Sequence, residues 1–177
     1  MKFSTTRFGE IEVNLDESIF FPSGLIGFPE LTRFVLLNSE SENSPFKWLQ
    51  SLDDGSIAFI LINPLSFKPD YMVEVSDEEI SGLELTSEEN AAISVIVTMP
   101  SNPEEMTANL KAPIIFNVEN RRGKQVILNN PEYLTKHLIG QEIKKNSTKP
   151  TDEVSEDLID KIKKDTSKNN KNRVVNA

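Results

Sequence analysis

Two short runs limit the fold of this chain more than any other feature. IAFILI (Ile57–Ile62) and AISVIVTM (Ala92–Met99) are apolar on both faces of an extended backbone. A strand with one wet face would place a polar residue at every second position. Both runs are rich in β-branched residues and end at turn or stop signals, Asp53-Asp54-Gly55-Ser56 before the first and Pro100 after the second. Each is therefore expected to be a central strand covered on both sides. Ile57–Ile62 is the longest apolar stretch, far short of the roughly 20 residues that span a bilayer. The N-terminus, MKFSTTRFGEIEV, contains no apolar run of signal-peptide length. The expectation is a soluble, cytoplasmic protein without membrane contact.

Other strands are expected at Ser18–Phe21, Leu31–Leu37 and Phe46–Leu49, the last forming a hairpin with Ile57–Ile62 across the Asp53–Ser56 turn. A second hairpin joins Ile114–Glu119 to Gln125–Leu128, with Asn120–Lys124 as its loop and Gly123 supplying a positive φ. Helices are few. Ser76-Asp77-Glu78-Glu79 has the form of a capping box and starts a short helix that ends by Gly82. Thr86–Glu89 caps one further turn. Pro131–Leu138 is read as a short helix carrying His137. The fold class is mainly β, a compact barrel or sandwich with a few short helices.

The composition changes past Gly140. Residues 1–140 carry a net charge of −11 and residues 141–177 a net of +2. The first is read as the folded domain and the second as a polar, Lys/Asn-rich extension, either disordered or forming one amphipathic helix with Val154, Leu158, Ile159 and Ile162 on its apolar face.

The inventory of reactive groups is sparse. There is no cysteine, which excludes disulfides, thiolate metal sites and cysteine nucleophiles. One histidine, His137, cannot build a usual zinc site alone. No Gly-x-Ser-x-Gly elbow, calcium loop or Walker loop occurs. Adjacent acids such as Glu78/Glu79 and Glu104/Glu105 sit at turns or helix starts and lack the contrasting environments of an acid/base pair. No catalytic, metal or cofactor-binding residue is assigned.

Charge is more informative. Between Pro69 and Leu110 there are ten acids and no lysine or arginine. Such a field repels nucleic acid and speeds encounter with a basic protein. It also keeps a protein soluble, and charge alone does not separate these roles. FPSGLIGFPEL (Phe21–Leu31) holds Gly24 and Gly27 at the spacing of a phosphate cradle or nucleic-acid clamp. However, Pro22 and Pro29 remove amides, and no cation lies between Arg7 and Arg33. A rigid turn anchored by Phe20, Phe21 and Phe28 remains.

Three segments in order resemble the bacterial flagellar assembly factor FliW family: FPSGLIGFPELTRFVLL (Phe21–Leu37), INPLSFKPDYMVEV (Ile62–Val75) and TANLKAPIIFNVENRRGKQVIL (Thr107–Leu128). The likeness runs from Phe3 to Ile139. It implies a small β-barrel-like domain without catalysis or cofactor, which binds flagellin in the cytoplasm and antagonises the RNA-binding translational repressor CsrA. On this view flagellin level is coupled to flagellin translation and flagellum assembly.

The acidic block, especially Asp70, Glu74, Asp77, Glu78 and Glu79, is the candidate surface for CsrA. Phe28, Phe67 and Tyr71 are candidate apolar anchors for flagellin, and the competing reading is that all three are core. Asn109 and Asn117 are assigned to backbone groups at turns and strand ends. The alternative function is a small-molecule sensor, such as a cyclic-dinucleotide receptor using Arg7 and the Arg121–Arg122 pair.

Overall fold

The two doubly apolar runs become adjacent strands of a closed barrel. The computed structural model describes residues 1–146. Its strands are β1 (Lys2–Thr5), β2 (Gly9–Glu12), β3 (Ile19–Phe20), β4 (Arg33–Asn38), β5 (Phe46–Ser51), β6 (Ala58–Ile62), β7 (Ala91–Thr98), β8 (Thr107–Ala108), β9 (Ile114–Asn117), β10 (Arg122–Gln125) and β11 (His137–Leu138). The helices are α1 (Asp77–Ile80) and α2 (Gly140–Asn146), with 3₁₀ turns between elements.

Pairing runs β3-β4-β5-β6-β7-β9-β10 and returns to β3, so the ring has no free edge. Every pair is antiparallel except the closing one, where Arg122 lies opposite Phe20. The β5–β6 hairpin has the expected register, with Phe46 opposite Ile62 and Gln50 opposite Ala58. Along one edge, β7 pairs first with β9 (Ala92 opposite Phe116) and then with β8 (Val97 opposite Ala108). Residues 109–113 bulge between them. The Asn109 Oδ1 accepts from the Ala112 amide at 3.1 Å, a backbone role as expected.

Alternation along β6, β7 and β9 explains why these strands are apolar throughout. Phe59 and Leu61, Ala92 and Ile96, and Ile114 and Phe116 face the barrel interior with Ile19, Phe21, Phe34 and Leu49. Ile60 and Ile62, Ile93, Val95 and Val97, and Ile115 face outward into a second core. That outer core is covered by Phe67, Tyr71, Val73, Leu83, Met106, Tyr133 and Ile139, which come from the connections rather than from the ring. At roughly 1.5–3 kcal/mol for each large side chain fully buried, both cores contribute strongly to stability.

Two local expectations are overturned. Gly123 is not a loop glycine. Asn117 lies opposite Arg122, so the turn is residues 118–121, and the positive φ (58°) falls on Arg121. Gly123 sits within β10 because a Cβ there would stand 2.3 Å from the Phe21 ring. Residues Pro131–Leu138 do not form a helix. Tertiary bonds hold that stretch instead: the Leu110 amide donates to the Leu134 carbonyl at 3.0 Å, the Met72 amide to the Tyr133 side-chain hydroxyl at 2.9 Å, and His137 pairs with Ala108 in β11.

The β1–β2 hairpin was not legible as strands. It docks on the outside of β5, where Phe8 meets Trp48 edge-on at 5.4 Å and the Arg7 guanidinium lies 4.3 Å from the Trp48 ring centre. Helix α2 crosses the boundary expected at residue 140. Ile143 packs on the outer core, and Lys144 pairs with Glu104 at 2.6 Å. The amphipathic stretch from Val154 to Ile162 lies outside the described residues.

Candidate partner-binding site

The Phe21–Leu31 stretch folds as a small rigid loop. The Leu25 amide donates to the Phe28 carbonyl at 3.1 Å, and the Phe28 amide returns a bond to the Leu25 carbonyl at 2.8 Å. Ile26 and Gly27 form the tip, with φ +88° at Gly27. Gly24 also has positive φ, and a Cβ there would lie 2.3 Å from the Phe28 carbonyl oxygen. Leu25 is buried, whereas Ile26 is 54% exposed. Phe28 is half-buried, edge-on to Phe59 at 5.3 Å. Gln125 holds the tip in place. Its Oε1 accepts from the Ile26 amide at 2.9 Å, and its Nε2 donates to the Ala112 carbonyl at 3.0 Å.

Between this loop and the β10 residues Gly123, Lys124 and Gln125 lies a cleft of about 330 Å³, with Gly82 on its third side. Gly82 lies in the 3₁₀ turn Ser81–Leu83 that follows α1. The Ser76 hydroxyl accepts from the Glu79 amide at 3.2 Å, and the Glu79 carboxylate accepts from the Ser76 amide at 2.8 Å, completing the expected capping box. These bonds to Ser76, the backbone one foremost, hold the Glu79 carboxyl below its ordinary range, and the Lys124 charge adds to the effect. Lys124 Nζ donates to the Glu79 carbonyl. Arg122 pairs with Glu84 at 3.1 Å and donates to the Gly82 carbonyl at 3.3 Å. Asn117 ties β9 to the same region, donating to the Leu83 carbonyl at 2.9 Å while its Oδ1 accepts from the Glu119 amide at 2.9 Å. A loop from the first resembling segment, a hairpin from the third and the helix that follows the second therefore meet at one cleft.

The acidic candidates are all exposed. Asp77, Glu78 and Glu79 occupy the first turn of α1, where carboxylates suit the helix dipole. Asp70 and Glu74 lie on the extended stretch before it, where Asp70, Met72 and Glu74 point outward and Tyr71 and Val73 inward. Lys68 bonds Asp70 at 3.0 Å and lowers its carboxyl pKa.

Two apolar candidates are corrected. Phe67 and Tyr71 are 7% and 1% exposed and belong to the outer core, so neither presents a face to a partner. The Tyr71 hydroxyl donates to the Leu110 carbonyl at 2.7 Å, its ring lies 4.7 Å from that of Tyr133, and burial pushes its phenol pKa far up. Phe67 stacks on His137 with ring centres 5.9 Å apart. They hold the acidic stretch against the barrel instead. Of the three, Phe28 alone reaches the surface.

Sequence reasoning missed Ile26 and Gln125. Gly27 suits the second central position of a type II turn, which would have placed Ile26 at a tip. The Gln125 bridge, spanning 99 residues, left no local trace. The arginines considered for a phosphate ligand have separate partners, Arg7 on Trp48 and Arg122 on Glu84. Among the described residues no group of three His, Cys, Asp or Glu is placed to hold a metal, and no helix is long and apolar enough to cross a membrane.

The family model for FliW protein matches residues 2–139. The flagellar assembly factor FliW of Thermoanaerobacter pseudethanolicus is 47% identical over 144 residues, covering 81% of this chain and 96% of that protein. The FliW of Alkaliphilus metalliredigens is 41% identical over 162 residues, covering 89% of this chain and 100% of the relative. A crystal structure of the flagellar assembly factor FliW superposes with a TM-score of 0.73 at 40% identity, covering 78% of this chain and 96% of that one. The barrel and the three segments around its cleft thus have their counterpart in known proteins: this chain belongs to the FliW family of flagellar assembly factors.

Proposed function

We propose that this protein is a non-catalytic partner switch of the cytoplasm, which binds flagellin and captures the translational repressor CsrA. The observation that supports the reading is an apolar cleft next to α1, whose first turn carries the exposed Asp77, Glu78 and Glu79, in a chain of the flagellar assembly family. A basic RNA-binding protein approaching this face gains long-range attraction. Asp70, Glu74, Asp77, Glu78 and Glu79 are the residues proposed to meet CsrA. Phe28, with Ile26 at the loop tip, is proposed to anchor flagellin, since an aliphatic side chain held rigidly in water loses little entropy on docking.

A switch requires only that the two binding events disfavour one another. Linkage makes this reciprocal: flagellin weakens CsrA binding by the factor with which CsrA weakens flagellin binding. Calorimetric titration with each partner, repeated with the other already bound, tests the reading. Saturable binding to both with mutual exclusion is expected. Binding to neither folded partner would sink it.

A further inference from the structure

The cleft beside the Leu25–Phe28 loop is largely apolar, and the exposed Ile26 stands at its mouth. Lys124 lines the cleft, Glu79 and Glu84 lie next to it through Lys124 and Arg122, and Asp77 and Glu78 share the first turn of α1 with Glu79. Both cations are engaged, Arg122 on Glu84 and Lys124 on the Glu79 carbonyl. Aliphatic side chains flanked by lysines would complement such a site. The chain itself carries that pattern beyond α2. LIDKIKK, residues 158–164, sets Leu158, Ile159 and Ile162 beside Lys161, Lys163 and Lys164, with Asp160 as its one acid.

The tether has a suitable length. Helix α2 starts beside the Pro103 and Glu104 carbonyls, near the Thr98 end of β7. The cleft lies toward the Ala91 end, because Asn117 pairs with Ala91 and binds the Leu83 carbonyl. At about 3.3 Å per residue, β7 separates these ends by roughly 23 Å. Twelve residues from 146 to 158 span roughly 20 Å as a root-mean-square coil and at most about 40 Å, and α2 moves their starting point by about 9 Å. Effective concentration is highest when the two lengths match, and is then in the millimolar range.

We propose that residues 158–164 of this chain occupy the cleft and compete with a partner for the acidic face next to it. The docking stands on the geometry above, and the competition rests on the binding role proposed for that face. A segment of millimolar intrinsic affinity would fill the cleft between half and nine-tenths of the time and weaken a partner sharing it by roughly 2–10-fold.

Because the chain has no cysteine, Asp165→Cys in the full chain gives a single nitroxide site next to the segment and leaves its lysines intact. The label is expected to broaden the amide signals of Gly82, Lys124 and Gln125 while sparing β1, which lies on the β5 side of the ring. Adding Leu158→Ser, Lys163→Glu and Lys164→Glu should abolish the broadening. Absence of selective broadening at the cleft, or broadening that survives those substitutions, would overturn the docking whether or not the protein binds flagellin or CsrA. In the unlabelled full chain, Leu158→Ser with Ile162→Ser should raise the apparent affinity for CsrA 2–10-fold, and an unchanged affinity would overturn the competition.

Discussion

Replacing Gly123 by alanine probes the barrel where its tolerance is smallest. A Cβ at this position would lie 2.3, 2.6 and 2.7 Å from three atoms of the Phe21 ring. Ordinary contact begins near 3.5 Å, so ring and strand must separate by about 1 Å. Phe21 has nowhere to go. It is fully buried, edge-on to Phe34 at 5.1 Å and to Phe116 at 5.9 Å. Overpacking of this kind costs about 1–3 kcal/mol. The loss of unfolded-state freedom on going from glycine to alanine offsets about 0.4–1 kcal/mol of it. The net expectation is a loss of about 1–2 kcal/mol, or a fall in Tm of several degrees for a domain of this size. Urea denaturation followed by Trp48 fluorescence measures it. A double-mutant cycle supplies the sharper test. Phe21→Leu removes the ring atoms that collide, so Gly123→Ala should cost less in the Phe21→Leu background than alone. Additive losses, or a neutral Gly123→Ala, would refute the steric account.

Ile26→Asp should leave stability within about 0.5 kcal/mol, because the side chain is exposed, while reducing flagellin affinity in calorimetry. Tyr71→Phe leaves the Leu110 carbonyl without its buried donor and should cost about 1–3 kcal/mol in denaturant melts. Reversing Asp77, Glu78 and Glu79 to lysine should slow CsrA association at low salt, with the difference shrinking as salt rises in stopped-flow traces. The Glu79 carboxyl is held below its ordinary value of 4.5 in the fold. Its cap therefore contributes above that value and is lost as pH falls through the lower, folded one. In NMR titration the Ser76 amide should shift across that acid window in the native chain and not in Glu79→Gln.

The parts of the fold that could be read from residues are those fixed by local chemistry. The apolar runs, the Asp53–Ser56 turn, the Ser76 cap and the stop at Pro100 each act within a few residues, and each has its structural counterpart. The failures have one cause in common. Gly123 has no left-handed backbone to supply; it makes room for a ring 102 positions earlier in the chain. Tyr133 and Leu134 suit a helix turn, but their polar groups are taken by Met72 and Leu110. For Phe67 and Tyr71 the core reading set beside the anchor reading is the one that holds, since both cover the outer face of β6, β7 and β9.

That requirement links the fold to its candidate site. A barrel strand with one wet face would let the connections wander. Here the outward residues Ile60, Ile62, Ile93, Val95, Val97 and Ile115 must be buried, so the chain after β6 is pressed onto the ring through Phe67, Tyr71, Val73 and Leu83. In the extended stretch from Asp70 to Glu74, alternation then forces Asp70 and Glu74 outward whenever Tyr71 and Val73 turn inward. Leu83, buried just beyond α1, pins the far end of that helix, and Asn117 and Asn120 bind the Leu83 carbonyl from the hairpin side. The acids are thus held on the surface by residues that are themselves buried. Substitutions at Tyr71 or Leu83 should therefore lower affinity for a basic partner only to the extent that they lower stability. Charge changes at Asp77 and Glu78 should lower affinity with stability unchanged. A Leu83→Ala chain that kept native stability but lost binding would break this division of roles, and paired melts and titrations on the same variants decide it.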